Sequence, residues 1–364
     1  MNPETTSVNR LPMNNLRRVM TVSLDGEWNF QLLDNPNDEP SKRWSTIPVP
    51  GLWTMVEGEQ PFGDKPIYTN VQMPFDELPP NVPEANPTGI YEREFTVPTS
   101  WESKRIILQV GGFESVAIVY INGEEVGVAK DSRLAADFDI TDFVRNNSNE
   151  LRIKVIKWSD SSFIEDQDQW WHGGITRSVK LYATENVYLE RFYATPNLLG
   201  DNKTGTLRIR AHINSRNSAP IENYKLRVRF PGVKGASKVV QVTSRKGPQW
   251  TEKSAAEKAA GDDYFLGKYW DGSMPKAKLE AFQSTEPIIP GPLDFELKVP
   301  NILPWSAESP RLYELEIELL DPEGNLVEMS SKKVGFRRVE IVGNELLVNG
   351  KPIILYGKIG RAHV

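Results

Sequence analysis

The residues best equipped for chemistry gather in one stretch, "WSDSSFIEDQDQWWHGGI" at 158–175, which carries Asp160, Glu165, Asp166, Asp168 and His172 beside Trp170 and Trp171. A carboxylate can accept hydrogen bonds from sugar hydroxyls or ligate a hard cation, and an aromatic ring can lie against the flat face of a sugar. The same residues can equally build a loop. Asp160, Ser161 and Ser162 favour a turn after a strand that ends at Trp158. Glu165, Asp166 and Asp168 read from spacing as carboxylates capping the loop's own backbone amides, while Asp160 is balanced between cap and ligand. Trp170 and Trp171 are adjacent, so in extended chain they point opposite ways, one to the core and the other outward. Gly173-Gly174 then permits a sharp reversal into the next strand.

A second group lies in "YTNVQMPF", 68–75, followed by "NPTGIYEREF". Pro74, Pro79, Pro80 and Pro83 impose an irregular loop. An Asn on such a loop offers a donor and an acceptor to a hydroxyl, but spacing does not rank Asn70 above Asn86. His172, His212 and His363 are spread along the chain, no Cys is present, and no Ser stands in a nucleophile context. Thiolate chemistry and disulfides are thereby excluded, and neither a catalytic triad nor a metal-spaced His/Cys cluster can be argued.

The elements that must position these groups are strands. "RIILQVGG" and "SVAIVYING" are short runs rich in β-branched and aromatic residues, and Asn122-Gly123 suits a tight hairpin into "EEVGVA". "NELRIKVIKW" places Leu151, Ile153 and Val155 on one face and Ile156 and Trp158 on the other, as expected of a strand covered on both sides. After about Thr184 the alternation restarts. Tyr224, Leu226, Val228 and Phe230 oppose Lys225, Arg227 and Arg229; Tyr313, Leu315, Ile317 and Leu319 oppose Glu314, Glu316 and Glu318. Period-2 alternation over several segments predicts antiparallel sandwiches. The intervening Lys-, Gly- and Ser-rich stretch reads as an elaborated loop with one short helix over 252–260. "ELLVNGKPIILYG" reads as a strand, a turn, and an apolar run suited to a strand buried on both sides.

With 364 residues and 39% hydrophobic content the chain can bury two cores. A net charge of −6 without a Lys/Arg run disfavours nucleic acid. No apolar run approaches membrane-spanning length, so a membrane partner is not expected. "MNPETTSVNR" lacks the basic start and apolar core of a secretory signal, and a cytoplasmic location is the simplest expectation.

"LDGEWNFQL", "YTNVQMPF", "NPTGIYEREF", "DSRLAADFDIT", "WSDSSFIEDQDQWWHGGITRSVKLY", "PWSAESPRLYEL" and "VGFRRVEI…LLVNGKPIILYG" occur in order. Together, over residues 9–357, they resemble the N-terminal part of bacterial β-galactosidases of glycoside hydrolase family 2. The "WSDxSxxEDQDxW" block is the most specific; "LDGEWxF" and "LLVNGKP" are shared across the wider family. The resemblance implies an all-β chain: an N-terminal arm (1–20), a jelly-roll sugar-binding domain (21–184), an immunoglobulin-like β-sandwich (185–340), and the first strand of a truncated TIM barrel (341–357). It implies that Asn70, Val71 and Asp160 contact the galactosyl unit and that Asp160 also helps hold a sodium ion, with magnesium a further cation of the full-length parent. "EDQDQWWHGG" then reads as scaffold behind Asp160, and His172 as non-catalytic.

Members of that family hydrolyse by retention with two glutamates ~5–5.5 Å apart. Both belong to the barrel, so no residue here is assigned a catalytic role and the chain alone is expected to be inactive. The full-length parent is expected to act on β-galactosides such as lactose, as a homo-oligomer. Residues 358–364, "KIGRAHV", can be encoded by a common sequencing-adapter read and are expected to be a non-native tail. Two other readings stand beside this one, a free-standing carbohydrate-binding module and a fragment of a β-glucuronidase-type glycosidase.

Overall fold

The computed structural model describes residues 5–14, 16–56, 62–70, 72–217, 219–246, 288–290 and 293–355. Val71, the expected helix over 252–260, Gly357 and the 358–364 tail lie outside the described residues. The chain divides into two compact units, residues 1–186 and 187–364. Helix among the described residues is limited to the α-helix Ser161–Ile164 and the 3-10 turn Thr99–Trp101.

Unit 1 is a β-sandwich. Its larger sheet is antiparallel and runs, in spatial order, Ser7–Val8, Glu124–Lys130, Val116–Ile121, Ser148–Ile156, Thr88–Thr96, Gly26–Leu33 and Ser45–Val49. A four-stranded sheet, Ala136–Asp139, Arg105–Val110, Val179–Thr184 and Thr21–Ser23, shares its core. Trp28, Phe30 and Tyr91 from the first sheet pack in one cluster with Leu108, Phe138 and Leu181 from the second. The expected hairpin forms: Asn122 and Gly123 take φ of 52° and 85°, joining Val116–Ile121 to Glu124–Lys130. Both central residues need positive φ in this turn, which Asn tolerates and Gly adopts freely.

Ser148–Ile156 lies between two neighbours in the larger sheet. Leu151, Ile153 and Val155 are fully buried in the main core, while Ile156 joins a small cluster with Val116 and Val128 on the opposite face. That two-sided burial carries the chain directly into Trp158–Asp160.

Unit 2 holds a three-stranded antiparallel sheet, Val187–Leu198, Gly205–Ser215 and Leu293–Val299, and a four-stranded one, Ser237–Gln241, Lys225–Arg229, Tyr313–Leu320 and Leu326–Val334. The alternation works as a register: Leu226 pairs with Leu319 and Val228 with Ile317, all fully buried. On the other face Arg227 opposes Glu318 and Arg229 opposes Glu316, and each pair forms a salt bridge. Cross-strand neighbours of opposite charge support the pairing that the apolar face dictates. These two sheets fit the expected immunoglobulin-like sandwich.

The end of the chain differs from expectation. Val339–Val342, Glu345–Val348 and Lys351–Pro352 form a small antiparallel sheet. Ile353, Ile354 and Leu355 continue beyond it as irregular, exposed chain instead of a strand buried on both sides. A barrel strand needs a neighbour at each edge, and among the described residues only the antiparallel Glu345–Val348 pairs with Lys351–Pro352, where Pro352 has no N–H to donate.

Candidate functional site

Asp160 sits where the strand Ser148–Ile156 has ended and the helix Ser161–Ile164 begins. Its position is set by Asn86, a buried side chain that clamps the Trp158 backbone at both polar groups. The Asn86 amide donates to the Trp158 carbonyl at 2.8 Å, and the Trp158 N–H donates back to Asn86 Oδ1 at 2.9 Å. The next residue, Ser159, is fixed by a hydroxyl relay in which Ser115 Oγ donates to Ser159 Oγ at 2.9 Å and Ser159 and Ser161 share a bond of 2.7 Å. Ser162 Oγ accepts from the Ser159 N–H at 3.1 Å. Asp160 occupies the N-cap position yet makes no capping bond, so its carboxylate is left for other partners.

One partner is Lys130, the last residue of Glu124–Lys130. Its ammonium donates to Asp160 Oδ1 at 2.7 Å, with the lysine side chain 4% exposed and the aspartate 23%. Asp160 Oδ2 has no bond among the described residues. A cleft of about 360 Å³ opens here, walled by Asp160, Lys130, Lys154, Asn86, Trp158 and Pro80, among others. It presents a carboxylate, ammonium groups and an indole, groups suited to a polyhydroxylated ligand with one apolar face.

Aromatic packing supports this wall. Trp158 meets Trp171 and Phe75 edge-on, with centroids 5.4 and 5.2 Å apart, and Phe75 also meets Phe163 at 5.5 Å. Trp171 is the inward member of the tryptophan pair; Trp170 is 54% exposed and lies 5.4 Å from Tyr68. Gln169–Trp171 pairs with Ile67–Thr69, and Trp171 Nε1 donates to Thr69 Oγ1 at 2.8 Å. Asn70 follows directly, exposed and without a side-chain hydrogen bond among the described residues. It is not part of the cleft wall, whereas Asn86 is.

The loop carboxylates do not act on their own loop. Glu165 accepts from the Ser132 N–H at 2.8 Å and the Ser132 hydroxyl at 2.5 Å, so it caps the turn after Lys130 instead. Asp168 accepts from the Tyr68 phenol at 2.6 Å, and Asp166 is exposed. Sequence spacing could not give these partners, which lie 33 and 100 residues away.

Behind Trp158 lies a buried polar core with no counterpart in the sequence reading. Both oxygens of Asp64 accept from Lys157 Nζ, at 2.8 and 2.7 Å, and Oδ2 also accepts from Trp53 Nε1 at 2.7 Å. Burial pushes the Lys157 ammonium below the usual lysine range, and Asp64 opposes that shift. Nearby, His172 Nδ1 and Thr54 Oγ1 share a 3.0 Å bond, the His172 N–H donates to Glu114, and Arg133 bridges Glu114 at 2.6 Å. Burial pushes His172 below its ordinary value, with Glu114 acting the other way. Its contacts are those of a packed residue holding a turn. The signal that could have found Lys130 and Lys157 is a lone lysine within or ending an apolar run, in "EVGVAK" and "VIKW".

The sodium ion implied for Asp160 would meet an ammonium already seated on one of its two carboxylate oxygens. Asp160 Oδ1 already accepts from an ammonium at 2.7 Å. Among the described residues no three His, Cys, Asp or Glu side chains converge to hold a metal.

Two units built of antiparallel sheets, one with a carboxylate- and indole-walled cleft, define an all-β protein. Residues 21–185 match the family model described as glycosyl hydrolases family 2, sugar binding domain, and residues 187–337 match glycosyl hydrolases family 2. The chain belongs to glycosyl hydrolase family 2. Among its curated relatives are β-galactosidases of Pseudoalteromonas haloplanktis (31% identical, covering 98% of this chain and 32% of that protein) and Photobacterium profundum (35%, covering 92% and 29%). The β-galactosidase of Kluyveromyces lactis is 33% identical over 98% of this chain and 33% of its own length. The chain thus spans about a third of the curated relatives it matches. Similar solved structures include a Bifidobacterium dentium β-glucuronidase complexed with coumarin-3-O-glucuronide, at a TM-score of 0.61 and 17% identity, covering 94% of this chain and 52% of that one. A family 2 member from Bacteroides cellulosilyticus gives a TM-score of 0.63 and 17% identity, covering 92% and 38%. At these identities the likeness concerns the fold.

Proposed function

We propose that this chain is the sugar-holding front part of a retaining β-galactosidase that hydrolyses terminal non-reducing β-D-galactosyl residues, as in lactose. The observation that carries the reading is the Asp160 carboxylate, held at a helix start without capping it and set in the wall of the cleft. Asp160 Oδ2 accepts hydrogen bonds from galactosyl hydroxyls and Trp158 lends an apolar wall; Asn70, outside that wall, and Val71 are the further sugar contacts that the resemblance implies. Acid–base and nucleophilic glutamates lie in the remaining two thirds of a full-length protein, and this chain alone releases no galactose. The soluble β-galactoside is its partner, and the full-length protein assembles as a homo-oligomer.

A second reading draws on the cleft itself. Lys130 and Lys154 both line it, and an ammonium-bearing wall suits a sugar carboxylate such as glucuronate. Calorimetric titration of the chain with D-galactose and D-glucuronate separates the two. Galactose is expected to bind weakly, with Kd on the order of millimolar. Asp160→Asn is close to isosteric but removes both a charge-assisted acceptor and the carboxylate partner of the Lys130 ammonium, so the affinity should fall by at least about ten- to a hundredfold. Unchanged galactose affinity in Asp160→Asn removes the galactoside assignment; preferred glucuronate binding that Lys154→Gln abolishes replaces it with the second reading.

A further inference from the structure

The contact that takes the expected cation's place at Asp160 is built into the fold. Lys130 ends the strand Glu124–Lys130 in register with Val116, its N–H donates to the Thr6 carbonyl at 3.1 Å, and its carbonyl accepts from Arg10 at 3.2 Å. Two residues later Ser132 is held through N–H and hydroxyl by Glu165, the residue that closes the helix Asp160 opens. The strand end and the short helix are therefore tied twice, by Lys130–Asp160 and by Ser132–Glu165. The approach of the two charges is set by backbone anchors on both sides, and not by two long side chains meeting at a surface. The lysine side chain is 4% exposed, and this carboxylate neutralises a charge that burial would otherwise penalise.

We infer that the Lys130 ammonium is the resident cation of this sugar site, so that Asp160 is neutralised and oriented by the protein itself and the site takes up no sodium. A sodium ion on Oδ1 would have to displace that ammonium, and one on Oδ2 would have to share with it the single negative charge of the same carboxylate. The inference rests on the reading that Asp160 faces the sugar, and it assigns Lys130 a positioning role: it fixes Oδ1 and leaves Oδ2 for hydroxyls.

Two sugar-free measurements on the 364-residue chain test it. Lysine ammonium resonances are recorded with ¹⁵N-lysine label, and Lys130 is assigned with Lys130→Arg, which keeps the charge. The Lys130 signal should be protected from solvent exchange, unchanged when sodium chloride replaces choline chloride at constant ionic strength, and lost in Asp160→Asn. The ²³Na line of the same samples should show no broadening that depends on Asp160. Sodium broadening abolished by Asp160→Asn, or a Lys130 ammonium that exchanges as fast as an exposed lysine, overturns the inference. Because neither readout uses galactose, its failure leaves the galactoside reading intact, and a failure to bind galactose leaves Lys130 in place.

Discussion

Replacing Asp64 by alanine should unfold unit 1 far more readily than its distance from the cleft suggests. Asp64 is the acceptor for a lysine side chain that is 1% exposed and for the indole N–H of Trp53. Its removal leaves the Lys157 ammonium with only the Lys65 carbonyl at 3.5 Å and the Trp158 ring, and no paired carboxylate, which costs about 3–5 kcal/mol, and orphans one N–H for about 1 kcal/mol more. For a unit with a stability of roughly 5–15 kcal/mol this is a large share. With an m-value of about 2 kcal/mol per M, the urea midpoint should fall by about 2 M. Tryptophan fluorescence is the suitable probe, since seven of the ten tryptophans lie in unit 1. Asp64→Ala with Lys157→Met should recover most of the loss, because replacing both members of a buried pair removes the stranded charge. Lys157 immediately precedes Trp158, so the single variant should also weaken galactose binding while the double variant retains it. A single variant that loses less than about 1 kcal/mol, or a double variant as unstable as the single, refutes the argument.

The tryptophan pair gives a sharp contrast. Trp171→Ala opens a cavity beside Trp158 and should cost about 3–5 kcal/mol in urea unfolding, whereas Trp170, 54% exposed, should lose well under half of that. Equal losses would contradict the inward and outward assignment. A Cβ at Gly173 would stand 2.1 Å from the Trp53 ring, so Gly173→Ala should cost about 1–3 kcal/mol or more, and an unchanged melting temperature would refute the close approach. His172 and His212 are both held below their ordinary value of 6.5, chiefly by burial. The unfolded chain then binds more protons than the folded one just below pH 6.5, so stability should fall as pH drops through that value and level off above it. His172→Gln with His212→Gln should flatten that slope in urea titrations, and an unaltered slope would assign it to other groups.

Local signals in the sequence carried much of the architecture. Asn122-Gly123 announced a hairpin because few dipeptides tolerate two positive φ angles. The faces of Ser148–Ile156, Lys225–Arg229 and Tyr313–Leu320 followed from side chains alternating across a strand. The adjacency of Trp170 and Trp171 gave one inward and one outward ring for the same reason. What escaped the sequence is contact between distant segments. Lys157 meets Asp64 across 93 positions, Asn86 clamps Trp158 across 72, and Lys130 reaches Asp160 across 30. Nothing local marks which carboxylate a buried lysine will find. Glu165 illustrates this: it does cap an amide, but that of Ser132 on another element. The run Ile353–Leu355 shows the opposite limit, where an apolar sequence suits a buried strand but its side chains stand exposed among the described residues.

The central claim is that Asp160 presents its free oxygen to a galactosyl unit. The most direct measurement is a crystal structure of the chain soaked with D-galactose. The account predicts a sugar in the cleft beside Trp158, with a hydroxyl within hydrogen-bond distance of Asp160 Oδ2 and the Lys130 ammonium still on Oδ1. A galactose seated elsewhere, or a cleft that stays vacant at saturating sugar, would contradict it.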